Sequence, residues 1–187
     1  MPEVWAQRLG LLKIVLPYSL VNLHMSLTTI SWLFTFGVLA HNIEEALHLP
    51  AWSAHAGKWH ARVEAVEFRF AVAVLSVLLV VVAAAAALAG AGSISAYLLA
   101  GYVLAMVLNV LMPHVLATVV MRKYMPGTAT ALLLNLPLGA LYLRQALSEQ
   151  NIQLGVFAWS GPLIVLFIVA SVPALFALGR KLNPSVS

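Results

Sequence analysis

The sequence predicts an all-α membrane protein, a polytopic helix bundle with about five transmembrane helices. The chain has 187 residues, of which 63% are hydrophobic and only 9% are charged. Soluble globular proteins carry roughly 25% charged residues, so this chain has too few polar groups to cover a surface in water. Its apolar runs also reach the length of about 20 residues that crosses a bilayer as a helix. Since no long polar linker divides them, residues 1–187 form a single transmembrane domain.

Five apolar runs are long enough to span the membrane. They cover residues 18–40, 66–89, 94–118, 128–147 and 156–178. Upstream, the segment 3–15 (EVWAQRLGLLKIV) is typical of a short N-terminal amphipathic helix that lies on the membrane surface, and Pro17 stops it. The GAGS segment between the second and third runs predicts a tight antiparallel hairpin.

The basic residues predict how these spans are oriented. With five spans, one side of the membrane receives Lys58, Arg62, Arg122, Lys123, Arg180 and Lys181, whereas the other receives Arg8, Lys13 and Arg144. The richer side is expected to be cytoplasmic, so the N-terminus lies outside the cell inner (plasma) membrane and the C-terminus inside. Because the basic residues lie singly or in pairs at the ends of apolar runs, they indicate a lipid bilayer rather than a nucleic acid as the partner.

The absence of two residue types excludes several kinds of catalytic and metal site. The sequence contains no cysteine and no aspartate, and its six acidic residues are all glutamates. Disulfides, thiolate metal sites, cysteine nucleophiles and Ser-His-Asp triads are therefore excluded.

The segment HNIEEALHLP (41–50) concentrates ionisable groups at the end of the first span. Since helical residues are about 100° apart, His41, Glu44, Glu45 and His48 share one stripe, and Pro50 is expected to end the helix. At the start of the second span, the same spacing places on one face His60, Glu64 and Glu67. The short connection makes these two helices neighbours, so the two faces can meet.

The third and fourth spans bring further polar groups to the same level. Pro113 cannot donate to the carbonyl of Asn109, so the helix is expected to loosen just before His114. In the fourth span Thr128, Asn135 and Tyr142 recur every seven residues along one face.

Three short segments together resemble the HxxEE family of bacterial membrane proteins, a family without an assigned activity. They are His41 with Glu44 and Glu45, Asn109 with Pro113 and His114, and Pro126–Gly127 with Thr128 or Thr130. The resemblance implies that the functional site contains His41, Glu44, Glu45, Asn109 and His114.

This composition favours a divalent metal site. Adjacent carboxylates repel each other unless they share a proton or a cation, and imidazole with carboxylate suits zinc, iron or manganese. The predicted ligands, for one ion or two, are His41, Glu44, Glu45 and His114, with His48, Glu64 and Glu67 as further candidates. We expect Glu44, Glu45, His114 and Asn109 to act in catalysis, with Asn109 orienting a ligand or the substrate. Thr128 and Asn135 are expected to contact the substrate.

Several functions remain open at this point. A metal-activated water with a glutamate as general base indicates a hydrolase, whereas two irons that activate dioxygen indicate an oxidase or oxygenase. Either enzyme would receive a lipid-like or small hydrophobic substrate through the first, third and fourth spans, past Ser26, Thr29 and Asn135. The alternatives are a metal-free glutamate-type intramembrane hydrolase, a proton- or cation-coupled transporter, and an accessory membrane subunit.

Two further alternatives concern single features of the chain. Glu64 and Glu67 can instead reach the membrane interface or pair with arginines, without any part in the site. The small residues of the second and third spans provide a surface for a homo-oligomer.

Overall fold

A computed structural model describes residues 25–57 and 60–183, and its regular elements are all helical. We number five helices in chain order: α1 Leu27–Ser53, α2 Ala65–Ala89, α3 Ile94–Met121, α4 128–148 and α5 Leu154–Leu182. The predicted all-α class is confirmed. The predicted amphipathic helix 3–15 and the beginning of the first predicted span lie outside the described residues.

Three of these helices, α2, α3 and α5, are long and apolar enough to cross a membrane. Their bounds agree with the second, third and fifth predicted spans to within a few residues. Large apolar side chains project outward from them, including Leu166 and Phe167 of α5. Because a water-soluble protein rarely exposes so large an apolar surface, the chain is a membrane protein.

Sequential helices run antiparallel, as contacts at both ends demonstrate. At one end Gly92 N–H donates to the Asn151 carbonyl at 2.9 Å, and Gln145 Nε2 donates to the Met25 carbonyl at 2.9 Å. At the other end the carboxylate of Glu67 on α2 pairs with Arg180 on α5. Helix α3 is central and packs against α2, α4 and α5, while α1 packs against α2 and α4.

The predicted hairpin between α2 and α3 is confirmed. Helix α2 ends before Gly90, and α3 begins at Ile94 after Ser93. The Ser93 side chain caps α3 because its hydroxyl oxygen accepts a hydrogen bond from Ala96 N–H at 3.1 Å. Such an N-cap satisfies one of the free backbone donors of the first turn.

Helix α1 does not end at Pro50, which corrects the sequence prediction. It continues to Ser53 with Pro50 inside the helix. A proline leaves the carbonyl four residues earlier without its usual donor. Here that carbonyl belongs to Ala46, and Arg69 Nε of α2 donates to it at 2.9 Å. The hydrogen bond that Pro50 cannot make is thus replaced by a side chain from the neighbouring helix.

Helix α3 loosens at Pro113, as predicted. Residues Val110–Val115 form a π-helical segment, and Met112 leaves the helical region with φ −137° and ψ 115°. Helix α4 has its own π-helical segment at Ala131–Asn135. Such single-turn interruptions are frequent at functional sites because they change the direction of side chains and free backbone groups. Both segments lie close to the region where the predicted site residues meet.

Candidate metal centre

Two buried histidines and one partly buried glutamate, from two helices, meet at one point. His41 and Glu45 come from α1 and His114 comes from α3, and one ligand atom of each lies within 4.8 Å of the others. The Nε2 atom of His41 is 3.7 Å from Glu45 Oε2, and the Nε2 atom of His114 is 3.2 Å from Glu45 Oε1. The two imidazole rings meet edge to face, with centroids 4.8 Å apart.

Local helical geometry explains how the cluster forms. His41 and Glu45 are four residues apart, so their side chains are neighbours on one face of α1. His114 lies within the π-helical segment of α3, one residue beyond Pro113. Both imidazoles are fully buried, whereas Glu45 keeps 13% of its side chain exposed. Of the three side chains, that of Glu45 is therefore the one that solvent or a ligand can reach.

Hydrogen bonds at Nδ1 fix the orientation of the His41 ring. Its Nδ1 atom lies 3.1 Å from the Gly127 carbonyl oxygen and 3.1 Å from Thr130 Oγ1. A carbonyl can only accept, so Nδ1 carries the proton and Nε2 keeps its lone pair. Metal-binding histidines usually donate their second ring nitrogen in this way. Within the described residues, Nε2 has no hydrogen-bond partner of its own.

The His114 ring is buried without hydrogen bonds. Neither of its nitrogens has a hydrogen-bond partner among the described residues, although Nε2 approaches Glu45 closely. Burying an unsatisfied polar group costs about 1–3 kcal/mol. Together with His41 Nε2, the ring provides nitrogen atoms that a cation bridging His41, Glu45 and His114 would satisfy.

Glu44 lies beside the cluster but makes hydrogen bonds of its own. Its carboxylate accepts from Gly127 N–H at 2.9 Å, from the Thr130 hydroxyl at 2.7 Å and from the Tyr124 hydroxyl. Partial burial and this carboxylate raise the pKa of the Tyr124 hydroxyl, which keeps it protonated as a donor. Glu44 therefore ties residues 124–130 to α1, and Thr130 links it to His41.

Gly127 allows the backbone to approach the cluster closely. Its φ is +92°, a conformation that residues with side chains rarely adopt. A Cβ atom at this position would lie 2.7 Å from His114 Cε1, 2.8 Å from His41 Cε1 and 3.0 Å from Glu45 Cγ. Glycine is the residue that fits here, because its backbone packs directly against all three site residues.

Three other predicted ligands lie away from this cluster. His48 is exposed on α1. The Glu64 carboxylate pairs with Arg62 at 3.0 Å, and the Glu67 carboxylate pairs with Arg180 at 2.6 Å. The arginine pairing considered for both glutamates is therefore observed. The structure does not bring these three side chains to His41, Glu45 and His114.

The residues predicted to contact substrate occupy different environments. The Thr128 hydroxyl is 3.0 Å from that of Thr118, beside the His114 backbone. Asn135 is fully buried, and neither of its amide atoms has a hydrogen-bond partner among the described residues. Ser26 and Thr29 bond to each other near the start of α1. A substrate route past these residues stays a prediction.

A cavity of about 360 Å³ adjoins Glu45 on the side formed by α1, α2, α3 and α5. Asn109 and Pro113 of α3 line it, so the predicted catalytic asparagine shares this space with Glu45. Asn42 also lines the cavity, and its Nδ2 atom donates to the Ser76 hydroxyl at 2.8 Å.

Some residues of the site had little or no signal in the sequence. Gly127 and Thr130 were connected with the site only through the family resemblance, because nothing in their sequence spacing indicates a contact with His41. Nothing in the sequence indicated that Tyr124 or Asn42 lies near the site, since neither shares a periodic pattern with the His and Glu residues.

The fold and the cluster define a class: a helical membrane protein with a buried site of two histidines and one glutamate, spaced closely enough to hold a metal ion. The chain belongs to the HXXEE family, whose model, described as a protein of unknown function with HXXEE motif, matches residues 32–142. The resemblance found in the sequence is thereby confirmed. The matched region includes all three residues of the cluster.

One relative and the solved structures complete the comparison. The chain is 36% identical over 151 residues to a Bacillus subtilis (strain 168) protein described as uncharacterized protein YrkK. The match covers 81% of this chain and 96% of the relative. No solved structure matches.

Proposed function

We propose that this protein is an integral-membrane metal-dependent hydrolase that acts on a lipid-like substrate. The proposed centre is one divalent ion, best fitted by zinc, held by His41 Nε2, Glu45 and His114. The observation that carries the proposal is the meeting of three ligand atoms within 4.8 Å, two of them from fully buried histidines, with the other ring nitrogen of His41 already hydrogen-bonded.

The ligand set supports zinc more strongly than a pair of irons. Catalytic zinc sites typically use three protein ligands and keep one position open, and two histidines with one glutamate is a known combination. Di-iron sites in helical bundles use about four carboxylates. Within the described residues only Glu45 offers free carboxylate oxygens to the cluster, because Glu44 is hydrogen-bonded and Glu64 and Glu67 pair with arginines. The hydrolytic alternative is therefore better supported than the oxidative one.

In this proposal each residue has a definite task. A bound zinc ion supplies a Lewis acid that lowers the pKa of a coordinated water to about 7. His41 and His114 provide neutral nitrogen ligands in a buried environment, and Glu45 provides a negative one. The Gly127 carbonyl keeps His41 in the tautomer with Nδ1 protonated, Thr130 supports the ring and donates to Glu44, and the Gly127 backbone packs against the cluster.

A metal-free hydrolase is supported less well. Such an enzyme would need a glutamate with a free oxygen to activate water. The Glu44 carboxylate is held by three donors, which leaves Glu45 as the glutamate for that role. Without a cation, the buried Nε2 atoms of His41 and His114 would also stay without a hydrogen-bond partner among the described residues.

We further propose that α1 and α4 cross the membrane together with α2, α3 and α5. Each packs along this bundle, and the three candidate spans define its direction. The basic residues at the end formed by Arg122, Lys123 and Arg180 support a cytoplasmic location for that end of the plasma membrane protein. The proposed centre then lies toward the cytoplasmic leaflet.

Metal content tests this proposal directly. Wild-type protein, Glu45→Gln, His114→Ala and the control Glu64→Gln would be purified without chelators, supplied with zinc, desalted and measured by elemental analysis. We expect about one zinc per chain in wild type and Glu64→Gln, and a loss of at least about tenfold in the other two variants. Absence of metal from the wild type, or equal metal in all four samples, would refute the proposal.

A further inference from the structure

The cavity beside Glu45 is lined by a few polar groups and many apolar ones. The polar ones include Glu45 and Asn42 of α1 and Asn109 of α3. Helix α5 contributes the apolar residues Ile168, Val169, Val172 and Phe176. Pockets for small molecules typically combine a mostly apolar lining with a few polar groups that orient the ligand.

The dimensions of the cavity suit one hydrophobic chain. Along α3 its lining runs from Tyr102 to Pro113, which corresponds to about 16 Å of helix. Its volume of about 360 Å³ is near the lower end of the range for ligand pockets. Such a long and narrow space fits a single extended chain of roughly a dozen carbon atoms better than a two-chain phospholipid.

The charges around the cavity favour an uncharged polar group on that chain. Among the described residues that line the space there is no lysine or arginine, Glu45 is the one carboxylate, and His60 is the one imidazole. The Nδ1 atom of His60 lies 2.6 Å from the Ala61 carbonyl oxygen. If a divalent ion is bound, the carboxylates of Glu44 and Glu45 balance its charge. An anionic headgroup would therefore lie near Glu45 without a lysine or arginine to pair with, and burying an unpaired charge is expensive.

Two amides are available to recognise a neutral carbonyl group. The Asn109 side chain makes no hydrogen bond within the described residues, although it lines the cavity one turn before Pro113. Asn42 donates to Ser76 through Nδ2, which leaves its carbonyl oxygen free to accept. Asn42 lies three residues before Glu45, which is less than one helical turn, and Asn109 lies five residues before His114.

We infer that the substrate is a single-chain amphiphile with an uncharged ester or amide group. Its chain occupies the cavity between α2, α3 and α5, and its carbonyl lies between Asn109 and Glu45. This inference rests on the proposed function for the identity of the reaction, but the binding step itself requires only the cavity. Entry from the bilayer then occurs beside α5, on a different side of α1 from Ser26, Thr29 and Asn135.

Photolabelling with a neutral lipid analogue tests this inference. The probe is dodecanamide with a diazirine in its chain, and the matched competitor is dodecanoic acid, which has the same chain and a negative charge. Full-length protein in nanodiscs would be labelled and the modified residues located by mass spectrometry. We expect labels on cavity residues such as Leu75, Val72 and Val172. The unlabelled amide should compete better than the acid.

Two tryptophan variants of α5 provide the matched comparison. Val172→Trp fills the cavity, whereas Leu166→Trp places the same side chain on the exposed surface of the same helix. Labelling should fall about tenfold in Val172→Trp, because the indole occupies the space of the chain. It should stay unchanged in Leu166→Trp. Thermal unfolding of both variants verifies that each is folded.

Other outcomes would overturn the inference. They are equal labelling of the two folded variants, labels confined to outward residues such as Phe167, and equal or better competition by the acid. Zinc measured in the same samples separates the two proposals. Bound zinc without cavity labelling refutes the substrate class alone, whereas cavity labelling without zinc refutes the metalloenzyme and leaves the binding site standing.

Discussion

The imidazole of His114 and the carboxylate of Glu45 approach to 3.2 Å, although they belong to different helices separated by 69 residues of sequence. The imidazole is fully buried and the carboxylate nearly so. Taking both groups away from solvent costs free energy unless a hydrogen bond or a cation compensates. The close approach of these two groups is thus the strongest indication that this region binds a cation.

Zinc should stabilise the folded protein through this pair. At a free zinc concentration of one hundred times Kd, binding to the folded state contributes about 2.7 kcal/mol to the free energy of unfolding. Thermal unfolding in detergent, with and without zinc, measures the effect. In Glu45→Gln we expect an intact fold and no zinc-dependent rise in Tm. An equal rise in both proteins would place zinc binding elsewhere.

Gly127→Ala should abolish metal binding. The added methyl group would collide with His41, His114 and Glu45, and the positive φ adds about 1–2 kcal/mol of backbone strain. Gly90→Ala is the matched control, because Gly90 also has a positive φ of +75° but nothing lies within 4 Å of its added Cβ. Zinc content and Tm would be measured for both. If the two variants retain equal zinc, the close approach of Gly127 is unimportant.

Thr130→Val should weaken metal binding without unfolding the chain. The threonine hydroxyl accepts from His41 Nδ1 and donates to Glu44, so its loss leaves the Gly127 carbonyl as the one acceptor for His41 Nδ1 within the described residues and removes the link to Glu44. Removing such a supporting group typically lowers metal affinity about 10- to 100-fold. Competition for zinc with a chromophoric chelator measures the affinity. Thr29→Val, the same substitution far from the site, should match the wild type, and a similar loss there would contradict the prediction.

The absence of natural cysteines allows a direct test of orientation. Ser148→Cys lies at the end of α4 and Lys123→Cys at the opposite end of the bundle, and both positions are exposed. A membrane-impermeant maleimide added to intact cells should label Ser148→Cys, whereas Lys123→Cys should react only after permeabilisation. The reverse pattern would place the N-terminus and the proposed centre on the other side of the membrane.

The positions of helices could be predicted where a long apolar run determines them. Long apolar runs predicted the positions of α2, α3 and α5, because a helix that crosses a bilayer needs about 20 apolar residues. The end of α1 was not predictable. Pro50 is a stop signal within its own helix, and the compensating hydrogen bond comes from Arg69, whose position depends on the packing of α2.

The site was predictable in part for a similar reason. Spacing of four residues located His41 and Glu45, and Pro113 indicated a loosened helix beside His114. The angular argument included His48 as well, but His48 lies about 10 Å further along α1 than His41. At that level the buried face of α1 is formed by Leu49 and Ser53, and His48 lies on the exposed face. The cavity depends on how α5 packs against α2 and α3, which no local pattern encodes.

The tether between Glu44 and residues 124–130 has a consequence for biosynthesis. His41, Glu45 and His114 have all been translated once the third helix is complete. The groups that orient His41, however, are the Gly127 carbonyl and the Thr130 hydroxyl, which are synthesised later. The three cluster residues therefore emerge from the ribosome before the groups that orient His41, and under the proposed function metal binding would have to wait until α4 is synthesised and packed against α1.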